Sequence, residues 1–151
     1  MEITLRPARA RDIPLLDGWF RDAESRRWLG GPGWAKNGLK LTGGERHLPV
    51  GEADGTPFGL TDIEIEADNR ASFAIIVDPT RRGEHLASGM TEAIVAMLAS
   101  RSVAELYAGV EDGNLASRRL LEHCGFTLTK PTDADGFTYY SRDLRVCRPP
   151  P

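Results

Sequence analysis

Cysteine is scarce in this chain. Cys124 and Cys147 are the only two in 151 residues, and their spacing makes neither a metal motif nor a disulfide framework. Lysine is nearly as rare: Lys36, Lys40 and Lys130 are the only three among 19 basic residues. That bias reflects a GC-rich genome at least as much as a function. No apolar run approaches the ~20 residues needed to span a bilayer, and Met1 to Arg6 lack the apolar core of a secretion signal. A cytoplasmic chain without a membrane partner is therefore expected. The net charge of −3 lacks the basic surplus of a nucleic-acid binder, so no nucleic-acid partner is expected either. No internal repeat is present.

What the chain does have is 40% hydrophobic and 27% charged residues, the balance of a globular domain. A domain of this length buries roughly 68–70% of its unfolded surface, enough for a core without disulfides or structural metal. The expected layout is one domain over residues 1–146 and a flexible, proline-rich end over 147–151.

Periodicity gives the elements. Ile3 and Leu5 alternate with polar residues and open a strand. Asp12 before Ile13-Pro14 is a helix start, and Ile13, Leu16 and Phe20 give that helix an apolar face. A second short helix is predicted from Asp22 to Leu29. Residues 30 to 44 hold six glycines and read as a long loop. Asp54-Gly55 between two alternating runs, His47 to Ala53 and Thr56 to Glu66, is a hairpin signal. Ser72 to Val77 is a nearly unbroken apolar strand, expected to be buried on both faces. Helical spacing of Leu86, Met90, Ile94 and Met97 predicts a helix from about Glu84 to Ser100. A strand over Val103 to Val110, a helix over Asn114 to His123 and two closing strands follow. The class is mixed α/β (α+β).

Two segments carry chemistry. In Val77-Asp78-Pro79-Thr80-Arg81-Arg82-Gly83-Glu84-His85-Leu86-Ala87 a strand ends, two arginines follow and a helix opens. Helix N-termini present unpaired N–H groups and partial positive charge, an anion site. Gly83 permits close approach of a ligand to the backbone, and Arg81 and Arg82 can donate charge-assisted bonds to phosphate. An ordinary solvated arginine pair is the plainer alternative. The second segment runs from Asn114 through Ser117 to Gly125-Phe126 and also opens a helix after a strand. Asn114 is a good N-cap in its own right.

Together these segments resemble the GCN5-related N-acetyltransferase (GNAT) superfamily, closest in pattern to its RimJ/RimL-type members. Its coenzyme loop, Arg/Gln-x-x-Gly-x-Gly/Ala, is matched by Arg82-Gly83-Glu84-His85-Leu86-Ala87. Its later Asn-x-x-Ser helix ending in Gly-Phe is matched by Asn114, Ser117 and Gly125-Phe126. The element order agrees from Ile3 to about Leu144.

The resemblance implies a GNAT fold: a mostly antiparallel twisted sheet of six to seven strands flanked by about four helices. It implies acetyl-CoA as co-substrate, with no metal. The pyrophosphate would lie on the backbone from Arg82 to Ala87, with Ser88 next to it, and the pantetheine arm along Ile75, Ile76 and Val77. Asn114 and Ser117 would face the far side of that arm. Three departures stand out. His85 replaces the central loop glycine. Leu120 and Leu121 occupy the stretch where many members carry an acidic tyrosine, which passes the acid role to Ser117. Ser72 stands where some relatives have a glutamate.

Transfer of an acetyl group to an amine needs a base for the ammonium proton and a donor for the leaving thiolate. Glu64 and Glu66, sharing a strand face with Asp62 by period two, are the base candidates; a solvated face is the plainer reading. Trp28, Trp34 and Tyr139 are candidate walls for the acceptor, and Asp22 a candidate attractor for its charge. The expected reaction is direct transfer to a small-molecule amine in a ternary complex. Transfer to a protein N-terminus and a non-catalytic acyl-CoA-binding module are the alternatives, and a homodimer is left open.

Overall fold

The computed structural model describes residues 1–31 and 33–145. The predicted proline-rich end and Cys147 lie outside the described residues. Strand β1 (Ile3–Pro7) leads into helices α1 (Ile13–Trp19), α2 (Ala23–Leu29) and α3 (Trp34–Leu41). Strands β2 (Arg46–His47), β3 (Pro49–Ala53), β4 (Thr56–Ile65) and β5 (Arg70–Val77) follow. Then come α4 (Leu86–Ser100), β6 (Glu105–Glu111), α5 (Leu115–His123), β7 (Thr127–Lys130) and β8 (Phe137–Asp143). One sheet runs in the order β1-β3-β4-β5-β6-β8-β7, with β2 pairing β4 at its side. Every pairing is antiparallel except β5 with β6. This is the expected mixed α/β sheet fold, carrying one additional two-residue strand and one additional helix.

The additional helix lies in the predicted glycine-rich loop. Trp34, Ala35 and Leu39 bring an apolar face to the second core cluster, where Trp34 packs on Phe20 with ring centroids 5.4 Å apart. Gly38 sits mid-helix, where a Cβ would come within 3.2 Å of Leu48. Burial thus overrides glycine's poor helix propensity. The hairpin at Asp54-Gly55 forms as expected, with both residues at positive φ (50° and 84°), as a tight two-residue turn requires.

Two cores flank the sheet. One gathers Phe73, Met90, Ile94, Leu98, Leu106, Leu121 and Tyr140 under α4 and α5. The other gathers Leu16, Trp19, Phe20, Val50, Leu60 and Ile76 under α1 and α3. Contrary to the apolar run in its sequence, β5 is not buried on both faces along its length. Ser72 and Ala74 on one face and Ile75 on the other are half-buried, because the helices leave part of each face uncovered.

Close approach of α4 to the sheet depends on glycines. Gly51 and Gly59 are cross-strand partners, and the Met90 sulfur fills the space above both. A Cβ would lie 2.8 Å from it at Gly51 and 2.7 Å at Gly59. At Gly59 the Ile76 carbonyl is also only 3.3 Å away, so side-chain movement alone does not relieve the clash. Gly59→Ala should therefore destabilise the fold by about 1–3 kcal/mol. In a Met90→Ala background the added penalty should fall to less than half, as measured by urea denaturation in a double-mutant cycle.

Candidate functional site

The site begins with a break in pairing. β5 and β6 pair in parallel only over Arg70–Ser72 and Glu105–Tyr107. Beyond Ser72 the two strands diverge, while β5 stays bonded to β4 up to Val77. Among the described residues no main-chain bond crosses the gap, so the β6-facing edge of β5 is left without a strand partner. The inner end of the gap is lined by Ala74, Ile75, Gly109, Val110 and Phe137, with Trp28 and Leu29 of α2 covering it.

A groove of about 620 Å³ continues outward from this gap between β5, α4 and α5. Its floor carries Ile75 and Val77, and its outer wall carries Gly83, His85, Leu86, Ala87 and Ser88. The N–H groups from Gly83 to Ser88 make no hydrogen bond to any described residue. Gly89 is the first to do so, donating to the His85 carbonyl at 3.2 Å. Six consecutive unpaired donors at the N-terminus of a 15-residue helix form a ready anion cradle. Gly83 and His85 both take positive φ (84° and 60°). That conformation is the physical reason a glycine suits the position of His85; histidine is among the residues that tolerate it.

The two arginines are committed elsewhere. Arg82 donates to the Asp22 carboxylate at 2.6 Å and to the Ser25 hydroxyl at 3.2 Å, and stands 3.4 Å from Glu24. It ties the loop to α2 across the groove. Arg81 donates to Glu84 at 3.1 Å, which turns Glu84 away from the groove lining. Asp22 also caps α2 by accepting from the Ser25 N–H at 3.0 Å. With these bonds its carboxyl is held down at about 2, mainly by the Arg82 hydrogen bond. Asp22 is thus an internal ion-pair partner, not a free attractor for an amine.

Asn114 caps α5, its side-chain oxygen accepting from the Ser117 N–H at 3.3 Å. The Ser117 hydroxyl makes no hydrogen bond with any described residue. It borders the inner gap, the groove and the recess beside α2 alike. Ile76 borders that recess with Arg82 and Asn114. Twelve of the thirteen positions expected to hold the coenzyme therefore line three cavities that share Ile75 and Ser117, Glu84 being the exception.

The acceptor candidates scatter more. Trp28 lines the gap, whereas Trp34 belongs to the second core. Tyr139 folds over exposed Gly109, where a Cβ would meet its ring at 3.1 Å. Asp62 takes a two-point bond from Arg46 at 2.6 and 2.7 Å. Exposed Glu64 lies 3.5 Å from the same guanidinium. Glu66 accepts from the Tyr107 hydroxyl. Sequence reasoning overlooked Tyr107. Its signal was parity: Leu106, Ala108 and Val110 are core residues, so Tyr107 and Gly109 must face the other way.

The sequence matches the family model of an acetyltransferase (GNAT) domain over residues 2–127. Solved structures share the fold. The aminoglycoside acetyltransferase AAC(6')-Ib in complex with coenzyme A has a TM-score of 0.82 at 18% identity, covering 94% of this chain and 95% of that one. An N-acetyltransferase from Staphylococcus aureus Mu50 has a TM-score of 0.72 at 18% identity, covering 96% and 100%. The GNAT domain of S. lividans PAT has a TM-score of 0.76 at 20% identity, covering 92% and 89%. No curated protein matches the sequence. Among the described residues no helix is long and apolar enough to cross a membrane.

The Asp22–Arg82 tie gives a pH signature. A carboxyl lowered from 3.8 to about 2 on folding contributes stability that is fully present above its unfolded value and is lost as the pH falls toward 2. Wild type should melt above Asp22→Asn at pH 5 to 7, by a modest margin because the pair is partly exposed. The two melting temperatures should converge between about pH 4 and 2, read by circular dichroism.

Proposed function

The chain belongs to the GNAT acetyltransferase family, and we propose that it moves an acetyl group from acetyl-CoA to a primary amine of a small molecule. The acetyltransferase domain in this reading spans residues 1–146. One observation carries it: the six unpaired N–H groups from Gly83 to Ser88 open onto a groove that ends in the unpaired edge of β5. A diphosphate fits the first, an extended amide-bearing arm fits the second by strand addition, and the gap at the far end receives a thioester. The likeness to AAC(6')-Ib solved with coenzyme A and kanamycin supports the same pairing of ligands.

Bound there, acetyl-CoA supplies an activated acyl carbon for direct attack in a ternary complex. The chain's own residues do the rest. The backbone from Gly83 to Ser88 holds the phosphates, and the β5 edge at Ile75 to Val77 fixes the arm. Asn114 keeps α5 in register, which presents the unengaged Ser117 hydroxyl to the sulfur end. A serine hydroxyl donates a hydrogen bond to a departing thiolate without ionising. Glu66 takes the ammonium proton, with Glu64 as the second candidate. The open sheet face carrying Glu64, Glu66, Tyr107 and Tyr139 suits a compact cationic acceptor.

Acetyl-CoA at about a hundred times its dissociation constant should stabilise the protein by roughly 2.7 kcal/mol, visible as a higher melting temperature. Gly83→Asp places a carboxylate and a Cβ against the phosphates and should abolish that shift; an unchanged shift would move the cradle elsewhere. Turnover is read as thiol release against a panel of small amines and short peptides. Peptide-only turnover would favour the protein N-terminus as acceptor, and binding without any turnover a non-catalytic module. Ser117→Ala should lower kcat at nearly unchanged acetyl-CoA affinity, the mark of a bond made mainly in the transition state.

A further inference from the structure

Two adjacent arginines of α5 take different directions. The Arg118 guanidinium donates to the hydroxyl of Tyr140, a core residue, at 3.0 Å. Arg119 lines the groove instead, and its guanidinium makes no hydrogen bond or ion pair with any described residue. Three arginines line that groove. Arg81 and Arg82 are matched by Glu84 and Asp22, and Glu24, the lining carboxylate, also stands by Arg82. Arg119 is left without a counter-charge.

Its neighbours on the helix face the same way. Ala116, Arg119, Leu120 and His123 all line the groove, and their spacing of three, four and seven makes them one stripe of α5. The His123 ring likewise makes no bond to a described residue. The helix dipole favours a cation in this last turn whichever way it points; the aim into the groove is a separate property of these two side chains.

The stripe is also ordered along the site. Asn114 borders the inner gap but not the groove, Ser117 and Leu120 border both, and Arg119 and His123 border the groove alone. From Ser117 to His123 the helix advances about 9 Å. On the α4 side of the groove lie the unpaired N–H groups of Gly83 to Ser88. A ligand with its diphosphate on those groups and its thioester in the gap leaves its nucleoside at the groove's mouth. In coenzyme A the ribose of that nucleoside carries a further phosphate.

We propose that Arg119 and His123 form a subsite for the ribose phosphate of the coenzyme, so that the groove selects coenzyme A over dephospho-coenzyme A, which lacks only that group. This rests on the acetyltransferase reading above and deepens it. A guanidinium presents a fork of N–H donors that matches phosphate oxygens, and the imidazole one turn on adds another N–H donor. The diphosphate is held by backbone, whereas the ribose phosphate is read by side chains.

The test is a binding comparison by calorimetry, with acetyl-CoA and acetyl-dephospho-CoA on each variant. Wild type should bind acetyl-CoA about tenfold tighter, the scale of a hydrogen bond to a charged group. In Arg119→Ala that preference should fall to about threefold, and in the double variant Arg119→Ala/His123→Ala to within about twofold. Arg118→Ala removes the same charge one residue away and should keep the full preference. Each ratio compares two ligands on one variant, so a general loss of affinity or stability cancels.

Equal binding of the two ligands by wild type would overturn the subsite and leave the coenzyme groove standing. A preference that survives in the double variant would overturn the assignment to Arg119 and His123. An equal loss in Arg118→Ala and Arg119→Ala would replace the subsite by the general field of the helix. Failure of wild type to bind either ligand would overturn the acetyltransferase reading itself.

Discussion

The structure turns on a pairing that stops. β5 and β6 run parallel for three residues and then separate. A buried strand edge without partners would be costly, so the surrounding elements are arranged to leave that edge facing a groove. β4 holds β5 from its other side over its whole length, and β8 does the same for β6 from Glu105 to Glu111. Neither strand can move to close the gap without breaking a complete ladder. The opening is thus fixed by bonds made elsewhere, which is what a preorganised ligand site requires.

The second constraint is the seat of α4. Glycines at positions 51 and 59 let the Met90 sulfur reach down to the sheet, and Gly89 lets Ile3 of β1 press against the helix. This close seating sets where the helix begins, and hence where its unpaired N–H groups point. The Arg82 bonds to Asp22 and Ser25 then carry α2 onto the rim of the same groove. Because Arg81 and Arg82 are both matched by carboxylates, the unpaired backbone N–H groups from Gly83 to Ser88 are the loop's open donors.

Charge and aromatic placement divide the two sides of the site. The groove side carries backbone amides and aliphatic side chains, with Arg119 and His123 on its α5 wall. The open sheet face carries carboxylates and rings held by arginines: Arg46 with Asp62 and Glu64, and Arg70 with Glu105 and Tyr107. Arg46 holds two acidic groups that would otherwise repel one another, and Arg70 holds Glu105 beside the Tyr107 ring. The face keeps its acidic character while its side chains stay ordered.

By itself the sequence determined the element order, the hairpin at Asp54-Gly55, the helix opening after Arg82, and the capping of α5 by Asn114. These are local: each follows from periodicity, turn chemistry or a cap within a few residues. The unpaired N–H run from Gly83 to Ser88 and the Asn114–Ser117 cap were legible for the same reason, since a strand ending in a helix start sets both within consecutive residues. Tertiary structure decided the rest. Helix α3 forms in a glycine-rich stretch only because Trp34 and Leu39 find Phe20 and its neighbours to pack on. Trp34 packs in the second core for that reason, and the Asp22 carboxylate is engaged by Arg82, sixty residues away. Tyr107 and Glu66 stand 41 residues apart in the chain. No periodicity relates them; only the sheet, by laying β6 beside β5 and β5 beside β4, brings hydroxyl and carboxylate within one hydrogen bond.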